Sequence, residues 1–368
     1  LYFSNRKGMN IVDSTEKTSM SLLSLFKLFV LGCFINLVFF LVDLLWLNLL
    51  PSLNVSYGPV RPALMGFTIL RIGIFFIWLF LQSILYLKGA GQAHHSHQWS
   101  LLIPNLFLLG LGFYGFFVEP FHLTVSRLQI PVHGLEHSVR IVQLSDIHVE
   151  RITSRERTLP KLVEGLQPDM IVITGDFVNE SYVNDPQTIS AIRELIGELY
   201  APLGIYGVNG NVETPKKLHE ILDGTDIHLL DDQIVRVSAI DKRFVMIGLN
   251  YVEERDDALI LSHLMTQVQP DDFSLLLYHK PDLAYAARDE HINLYLTGHT
   301  HGGQVRLPFY GALFTNSIYG KTFEMGRYQL DETTLYVSRG LGFTGGIAPR
   351  VRFLCPPEIV AIDLVPEP

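Results

Sequence analysis

Cysteine is nearly missing: the 368 residues hold two, Cys33 in an apolar run and Cys355 near the C-terminal end. That excludes a disulfide framework and a thiolate metal site. Charge is sparse too, at 18% of residues, and it leans acidic, with 37 Asp and Glu against 28 Lys and Arg. A nucleic-acid partner wants the opposite surplus, so none is expected, and nothing implies a protein partner. Neither a P-loop nor a Rossmann dinucleotide fingerprint is read, which sets aside nucleotide-switch and dehydrogenase chemistry. Internal repeats and low-complexity linkers are absent as well.

What the chain does have is an uneven store of apolar residues, crowded into its first third. Leu1–Gly8 reads as the remnant of a protease-site tag, with Met9 as the start. Three apolar runs follow, at about 28–50, 63–87 and 101–118, each near the roughly 20 residues needed to cross a bilayer. Residues 9–119 are therefore expected to form a transmembrane helical domain of about three spans, with 120–138 as connector and 139–368 as a water-soluble domain. Asp43 and Arg71 fall inside or near the ends of spans, where a charge is costly, and are expected to pair or to reach the interface, with a role toward substrate as the alternative. Lys17, Lys27, Arg61 and Lys88 lean toward a cytoplasmic N-terminus, which puts the soluble domain outside the cytoplasm of a multi-pass membrane protein. The loop with His94, His95 and His97 reads as solvated, since no carboxylate or cysteine is nearby.

Beyond residue 138, short β-rich runs alternate with helical ones. Strands are expected at Val139–Leu144, Met170–Thr174, Ile205–Val208, Phe244–Leu249, Ser274–Leu277, Leu294–Thr297, Leu335–Val337 and Ile359–Leu364. Helices are expected at Arg155–Leu166, Thr188–Leu199 and Pro215–Leu222, where apolar residues recur at helical spacing. Such alternation predicts packed sheets with helices outside, an α+β domain.

The polar chemistry falls at the ends of strands. Asp146 and His148 follow the first, Asp176 the second, Asn211 the third, His279 the fifth, and His299 with His301 the sixth. The carboxyl edge of a layered sheet is where sites are assembled. Carboxylate, imidazole and amide oxygen are the ligands that borderline divalent ions take. Asp146 and His148, two apart in an extended loop, can address one ion; Asp176 can bridge two; Asn211 adds a ligand without adding negative charge. Two cations about 3.5–4 Å apart can bind phosphate oxygens, lower the pKa of a water and stabilise an in-line transition state.

Read in order, Asp146-Ile147-His148, Gly175-Asp176, Gly210-Asn211-Val212-Glu213, His279 and Gly298-His299-Thr300-His301 resemble the signature of the calcineurin-like metallophosphoesterase superfamily. Gly302-Gly303-Gln304, Tyr319-Gly320-Lys321, the run from Ser338 to Gly342 and the run from Arg352 to Ile359 look like its bacterial membrane-associated branch. The resemblance implies an αββα sandwich, two packed β-sheets flanked by helices. It implies a pair of divalent ions, manganese by preference and iron or zinc otherwise. Asp146, His148, Asp176 and His301 would hold one, and Asp176, Asn211, His279 and His299 the other. Substrate contacts are expected from Asn211, Arg339 and Arg352.

One position departs from the pattern. Most members carry a histidine after the metal-binding asparagine, where it touches the phosphate and helps protonate the leaving group; this chain has Val212. Losing general-acid help costs roughly two to four orders of magnitude when the leaving group is poor. Either the leaving group departs readily, as from a pyrophosphate, or His219, Arg339 or Arg352 takes over, or the site binds metal and phosphate with weak or lost turnover. The expected function is a metal-dependent phosphoester or pyrophosphate hydrolase anchored in a membrane and acting on a lipid or lipid-linked phosphate. A phosphodiesterase on soluble substrates is the nearer alternative.

Overall fold

The computed structural model describes residues 22–49, 60–87, 96–237, 243–343 and 350–367. The expected tag at 1–8 and His94 and His95 lie outside them. Contacts divide the chain into two compact units, one of residues up to 45 with 68–108, the other of 46–67 with 109–368.

Three helices come first: α1 (Leu22–Leu49), α2 (Val60–Leu87) and α3 (Ser96–Phe113). Two stretches, Ala63–Leu81 and Leu102–Phe121, are long and apolar enough to cross a membrane, while Phe29–Leu45 is a shorter apolar stretch. The last run does not end as a plain helix: it widens into a π-helical turn at Tyr114–Val118 and closes with a 3₁₀ turn at Glu119–Phe121. In the first unit the usual soluble pattern is inverted. Phe34, Leu37, Ile69, Leu70, Ile77 and Phe80 face outward, whereas Asn36, Asp43, Thr68, Arg71 and Asn105 are buried. The charges expected to pair do so: Arg71 Nη2 donates to Asp43 Oδ2, and Nη1 donates to Asn105 Oδ1 at 3.1 Å. Thr68 Oγ1 donates to Asp43 Oδ2 at 2.8 Å, and the guanidinium lies 5.1 Å from the ring centre of Phe39.

The second unit carries the expected sandwich. Its first sheet joins β1 (Thr124–Val132), β14 (Glu358–Pro366), β2 (Val139–Leu144), β3 (Met170–Thr174), β4 (Ile205–Val208) and β5 (Ile227–Leu229), in that order. Its second joins β12 (Gly326–Leu330), β13 (Thr333–Val337), β9 (Leu294–Thr297), β8 (Phe273–Leu277), β7 (Phe244–Gly248) and β6 (Gln233–Val237). A small antiparallel pair, β10 (Arg306–Leu307) and β11 (Gly311–Ala312), stands apart. Within the expected connector, residues 124–132 form a strand parallel to β14.

Side-chain alternation sorts the strands between layers. Ile141 and Val172 face Met246, Leu275 and Leu294 across the two sheets, while Val142, Ile171 and Ile173 face the opposite way. There they meet α4 (Ser154–Gly165), α5 (Pro186–Gly197) and α6 (Pro215–Leu222). On the far side, Val245, Ile247 and Leu276 pack on α7 (Asp257–Met265) and α8 (Ala284–Asp289). Each fully buried Leu, Ile or Val contributes about 1.5–3 kcal/mol. Gln143 is the polar exception between the sheets; its Nε2 donates to Thr174 Oγ1 at 3.1 Å and to the Thr297 carbonyl at 2.9 Å, tying the edges where β3 and β9 end.

Candidate metal centre

Strands β2, β3 and β4 run parallel in one sheet and β8 and β9 in the other, so their C-terminal ends gather at one edge of the sandwich. The chain must leave each strand sharply there. Asp146, His148, Asp176, His299 and His301 take φ values of 48, 46, 54, 68 and 50°, a left-handed conformation uncommon for residues other than glycine. Each costs on the order of 1–3 kcal/mol and persists only because its surroundings hold it. Asp146 N donates to the Gly175 carbonyl and His148 N to the Asp176 carbonyl, both at 3.0 Å, while Gly342 N donates to the Asp146 carbonyl at 2.6 Å. Close approach also demands glycine: a Cβ on Gly298 would overlap Ser145 and the Asp146 carboxylate, and one on Gly210 would overlap the Asp176 carboxylate.

The turns bring seven side chains together. His148 Nε2 lies 3.2 Å from His301 Nε2 and 3.5 Å from Asp176 Oδ2, and His301 Nε2 lies 3.4 Å from Asp146 Oδ1. Beside this group, His279 Nε2 is 3.1 Å from His299 Nδ1, 3.0 Å from Asn211 Oδ1 and 3.4 Å from Asp176 Oδ2. Asp176 Oδ2 belongs to both groups. All seven side chains except Asn211 are buried.

These distances suit a cation better than a hydrogen-bond network. Imidazole nitrogens that face each other in pairs repel unless a proton or a metal lies between them. Bonds of about 2.0–2.2 Å to a common ion set ligand–ligand edges of roughly 2.8–3.6 Å, from octahedral to tetrahedral geometry. The six separations above, from 3.0 to 3.5 Å, fall in that range. Asp146 with His148 and His301, and Asp146 with Asp176 and His279, each offer ligand atoms within 4.8 Å of one another. Outer contacts aim the ligands: His279 Nδ1 is 2.8 Å from the Thr174 carbonyl, Ser145 Oγ donates to Asp146 Oδ2 at 2.6 Å, and Val212 N donates to Asp176 Oδ1 at 3.0 Å.

Electrostatics follow from burial. It pushes His148 down to about 4 and holds His299 and His301 well below the usual histidine range, so all three rings are neutral and can donate lone pairs. Burial also presses on Asp176, but His279, His148 and His299 together outweigh it and hold the carboxyl below its ordinary value. Against its own burial, His279 is raised to about 9 by Asp176. Burial lifts Asp146 to about 6.

Arg339 and Arg352, expected as substrate contacts, are both engaged within the protein. Arg339 Nη2 donates to Glu358 Oε1 at 3.0 Å, and its backbone N–H donates to Oε2 of the same carboxylate. Arg352 is fully buried and spends its donors on the carbonyls of Arg339, Gly340, Gly342 and Cys355, bracing the loop behind His301. His219 is also engaged elsewhere, with Nε2 2.5 Å from Asp231 Oδ2. The Val212 side chain packs against the helix-side core. Asn209 escaped the sequence reading, and Glu213 appeared in it only as part of a motif, without a role. Asn209 Nδ2 donates to the carbonyls of Gly210, Glu213 and Tyr251, shaping the turn that carries Asn211. Glu213 accepts from Val178 N at 2.7 Å, and burial with Asp176 nearby lifts it to about 8. Their signal was their place within the Asn209–Glu213 run, flanking a ligand.

Comparison with known proteins agrees with this geometry. The profile of the calcineurin-like phosphoesterase family matches residues 139–303. The metallophosphoesterase YkuE of Bacillus subtilis strain 168 is 33% identical over 276 residues, spanning 69% of this chain and 90% of that protein. The UDP-2,3-diacylglucosamine pyrophosphatase LpxG of Chlamydia muridarum is 26% identical over 314 residues, 68% of this chain and 92% of its own. The transmembrane protein with metallophosphoesterase domain of Bos taurus is 30% identical over 245 residues, 60% of this chain and 53% of its own.

Proposed function

The chain belongs to the calcineurin-like phosphoesterase family of metal-dependent phosphoric ester and anhydride hydrolases, and from that premise we propose that it cleaves a phosphoester or pyrophosphate bond in a lipid-linked substrate. The observation that carries the reading is the pair of donor sets meeting at Asp176 Oδ2. Asp146, His148, Asp176 and His301 would hold one divalent ion, and Asp176, Asn211, His279 and His299 the other. Four imidazoles among seven ligands fit manganese, iron or zinc rather than magnesium or calcium, and manganese is the preferred assignment. Bound there, such ions supply Lewis acidity for phosphate oxygens and for the attacking water.

The protein's own residues do the rest. Asn211 contributes an oxygen without charge, which spares an anionic substrate further repulsion. The turns that hold Asp146, His148, Asp176, His299 and His301 keep the donors in place before any ligand arrives, so little reorganisation is needed. Val212 has no proton to give. That favours a leaving group of low basicity, such as a phosphate released from a pyrophosphate. The apolar helices, the inverted burial of the first unit and the likeness to a pyrophosphatase named for a diacylated sugar nucleotide support a membrane-borne substrate, and the placing of Lys17, Lys27, Arg61 and Lys88 favours an extracytoplasmic domain.

The test is release of phosphate, nucleotide and headgroup from a panel of membrane lipids by full-length protein with added manganese. Cleavage of a pyrophosphate-linked lipid by the parent, abolished by Asp176→Ala, is the expected result. Val212 itself favours a second reading, a metal- and phosphate-binding protein with weak turnover. A silent parent alongside a Val212→His variant that hydrolyses simple diesters would move that reading ahead. Equal turnover of soluble diesters and micellar lipids would leave the helices as a mere tether.

A further inference from the structure

Large apolar side chains exposed on the second unit are mostly isolated: Tyr200, Val252, Leu259 and Tyr285 lie on separate elements. The segment around β10 and β11 is different. Leu307, Phe309, Tyr310, Leu313, Phe314 and Ile318 are all exposed, with Phe314 at 73% and Ile318 at 75%. Phe309, at the turn, takes φ 65°, a left-handed conformation that a bulky residue rarely adopts. Water gives such a ring nothing in return for that strain. Contiguous apolar surface of this kind marks a contact with another phase or molecule.

The same hairpin is polar where it joins the protein. Arg306 Nη1 donates to the Gly302 carbonyl at 2.8 Å and to Glu324 Oε2 at 3.0 Å, and Ala312 N donates to Glu324 Oε2 at 2.8 Å. Gly302 follows His301, so the base of the hairpin is braced against a loop of the candidate metal centre. A second tie runs to the end of the third apolar helix. Arg306 N donates to the Phe353 carbonyl at 2.9 Å, and Arg352 N to the Gly115 carbonyl at 3.0 Å. The Phe353 ring stands edge-on to Tyr114 at 6.2 Å. Tyr114 and Gly115 lie near the end of the candidate span Leu102–Phe121.

We propose that this hairpin is a second membrane contact, seated in the boundary between lipid headgroups and acyl chains. The inference rests on the reading of the chain as membrane-borne. Its occupant is a bilayer because the patch is one strand removed from the helix end where the chain would leave the membrane, and because its chemistry is interfacial. Aromatic rings and aliphatic side chains point out. Lys321 lies with Nζ 3.6 Å from the Tyr310 ring centre and donates to the Tyr310 carbonyl at 2.6 Å, a cation on an aromatic as at lipid interfaces. Seated so, the hairpin fixes the height of the His299–Gln304 loop at the plane of lipid phosphates.

The experiment uses full-length protein in phospholipid vesicles, with an environment-sensitive fluorophore on single cysteines. Positions are Ile318→Cys in the exposed apolar segment that follows the hairpin, Ile69→Cys in α2 and Tyr200→Cys at the loop entering β4, each in a Cys33→Ser background, Cys355 being buried. Lipids carry a nitroxide either near the headgroup or deep in the acyl chain. The expected result is quenching of Ile318→Cys by the shallow nitroxide, of Ile69→Cys by the deep one, and of Tyr200→Cys by neither. If Ile318→Cys matches Tyr200→Cys while Ile69→Cys lies in lipid, the hairpin proposal is overturned and the membrane reading survives. If Ile69→Cys is also in water, the membrane reading fails and the proposal with it. Protection of Ile318→Cys that follows protein density and not lipid nitroxide assigns the patch to a second copy of the chain, which also overturns it.

Discussion

Two buried polar clusters sit in the two units of this chain, and they are built on opposite terms. Around Arg71, one cation meets one anion: Asp43 takes the guanidinium and Thr68, Asn105 takes the other arm, and only Arg71 Nε lacks an acceptor among the described residues. Around Asp176, four imidazoles, two carboxylates and an amide oxygen converge, and Ser145 Oγ, Val212 N and His299 N donate to the two carboxylates. The first cluster is closed on itself and reads as structure. The second is short of positive charge in its centre and reads as a site waiting for a cation. Burial alone does not mark function; an unbalanced burial does.

The sharpest way to break the contrast is to remove the shared oxygen. Asp176→Ala is expected to abolish turnover and to cut bound manganese to less than one ion per chain, measured by elemental analysis. Chelation of the parent should lower its melting temperature, and manganese at a hundredfold excess over its Kd should restore about 2.7 kcal/mol. The closed cluster should behave in the reverse manner. Arg71→Met alone leaves Asp43 buried without its partner and is expected to destabilise the first unit by about 3–5 kcal/mol in detergent unfolding, with metal content unchanged. The paired change Asp43→Leu with Arg71→Met should recover most of that loss. Full cost in the double variant would mean that the pair is more than an internal balance.

The smallest effect sharpens the same comparison inside the second unit. Thr153 and Glu156 cap α4 in a box, with Thr153 N donating to Glu156 Oε2 at 2.9 Å, and Arg155 pairs with the same carboxylate. Burial would raise Glu156, but Arg155 and Thr153 outweigh it and hold the carboxyl below its ordinary value. A depressed carboxyl stabilises the fold above its unfolded pKa and loses that contribution as pH falls through the folded one. Glu156→Gln is therefore expected to cost about 1 kcal/mol near neutrality and progressively less in acid, with metal binding intact. A cost that did not shrink toward low pH would remove charge from the explanation.

The clusters also differ in how far they can be read from the sequence. Strands β2, β3, β8 and β9 are mainly apolar runs bounded by polar turns, broken in β2 by Arg140 and Gln143, and their ends announce Asp146, Asp176, His279 and His299 without any long-range knowledge. β1, β5, β6 and β12 are partly exposed strands with weaker patterns, and β1 also carries Pro131. β1 is a strand because it pairs with residues more than two hundred positions away, which no local window reveals. The partners of Arg339 and Arg352 were hidden for the same reason. A guanidinium looks alike whether it meets phosphate or Glu358, and only the fold decides which. Asp43 and Arg71 were legible as partners because in an apolar run there is little else for either to choose.

The position of β14 carries a consequence for how such a molecule is made. It lies between β1 and β2, antiparallel to the latter, and its Glu358 secures Arg339 beside the loop that contacts Asp146. Emerging from the ribosome, the first two strands of this sheet lack the strand that joins them until residues 358–366 have been translated. The nascent chain thus holds its candidate metal-binding residues on an unfinished scaffold until β14 has been made.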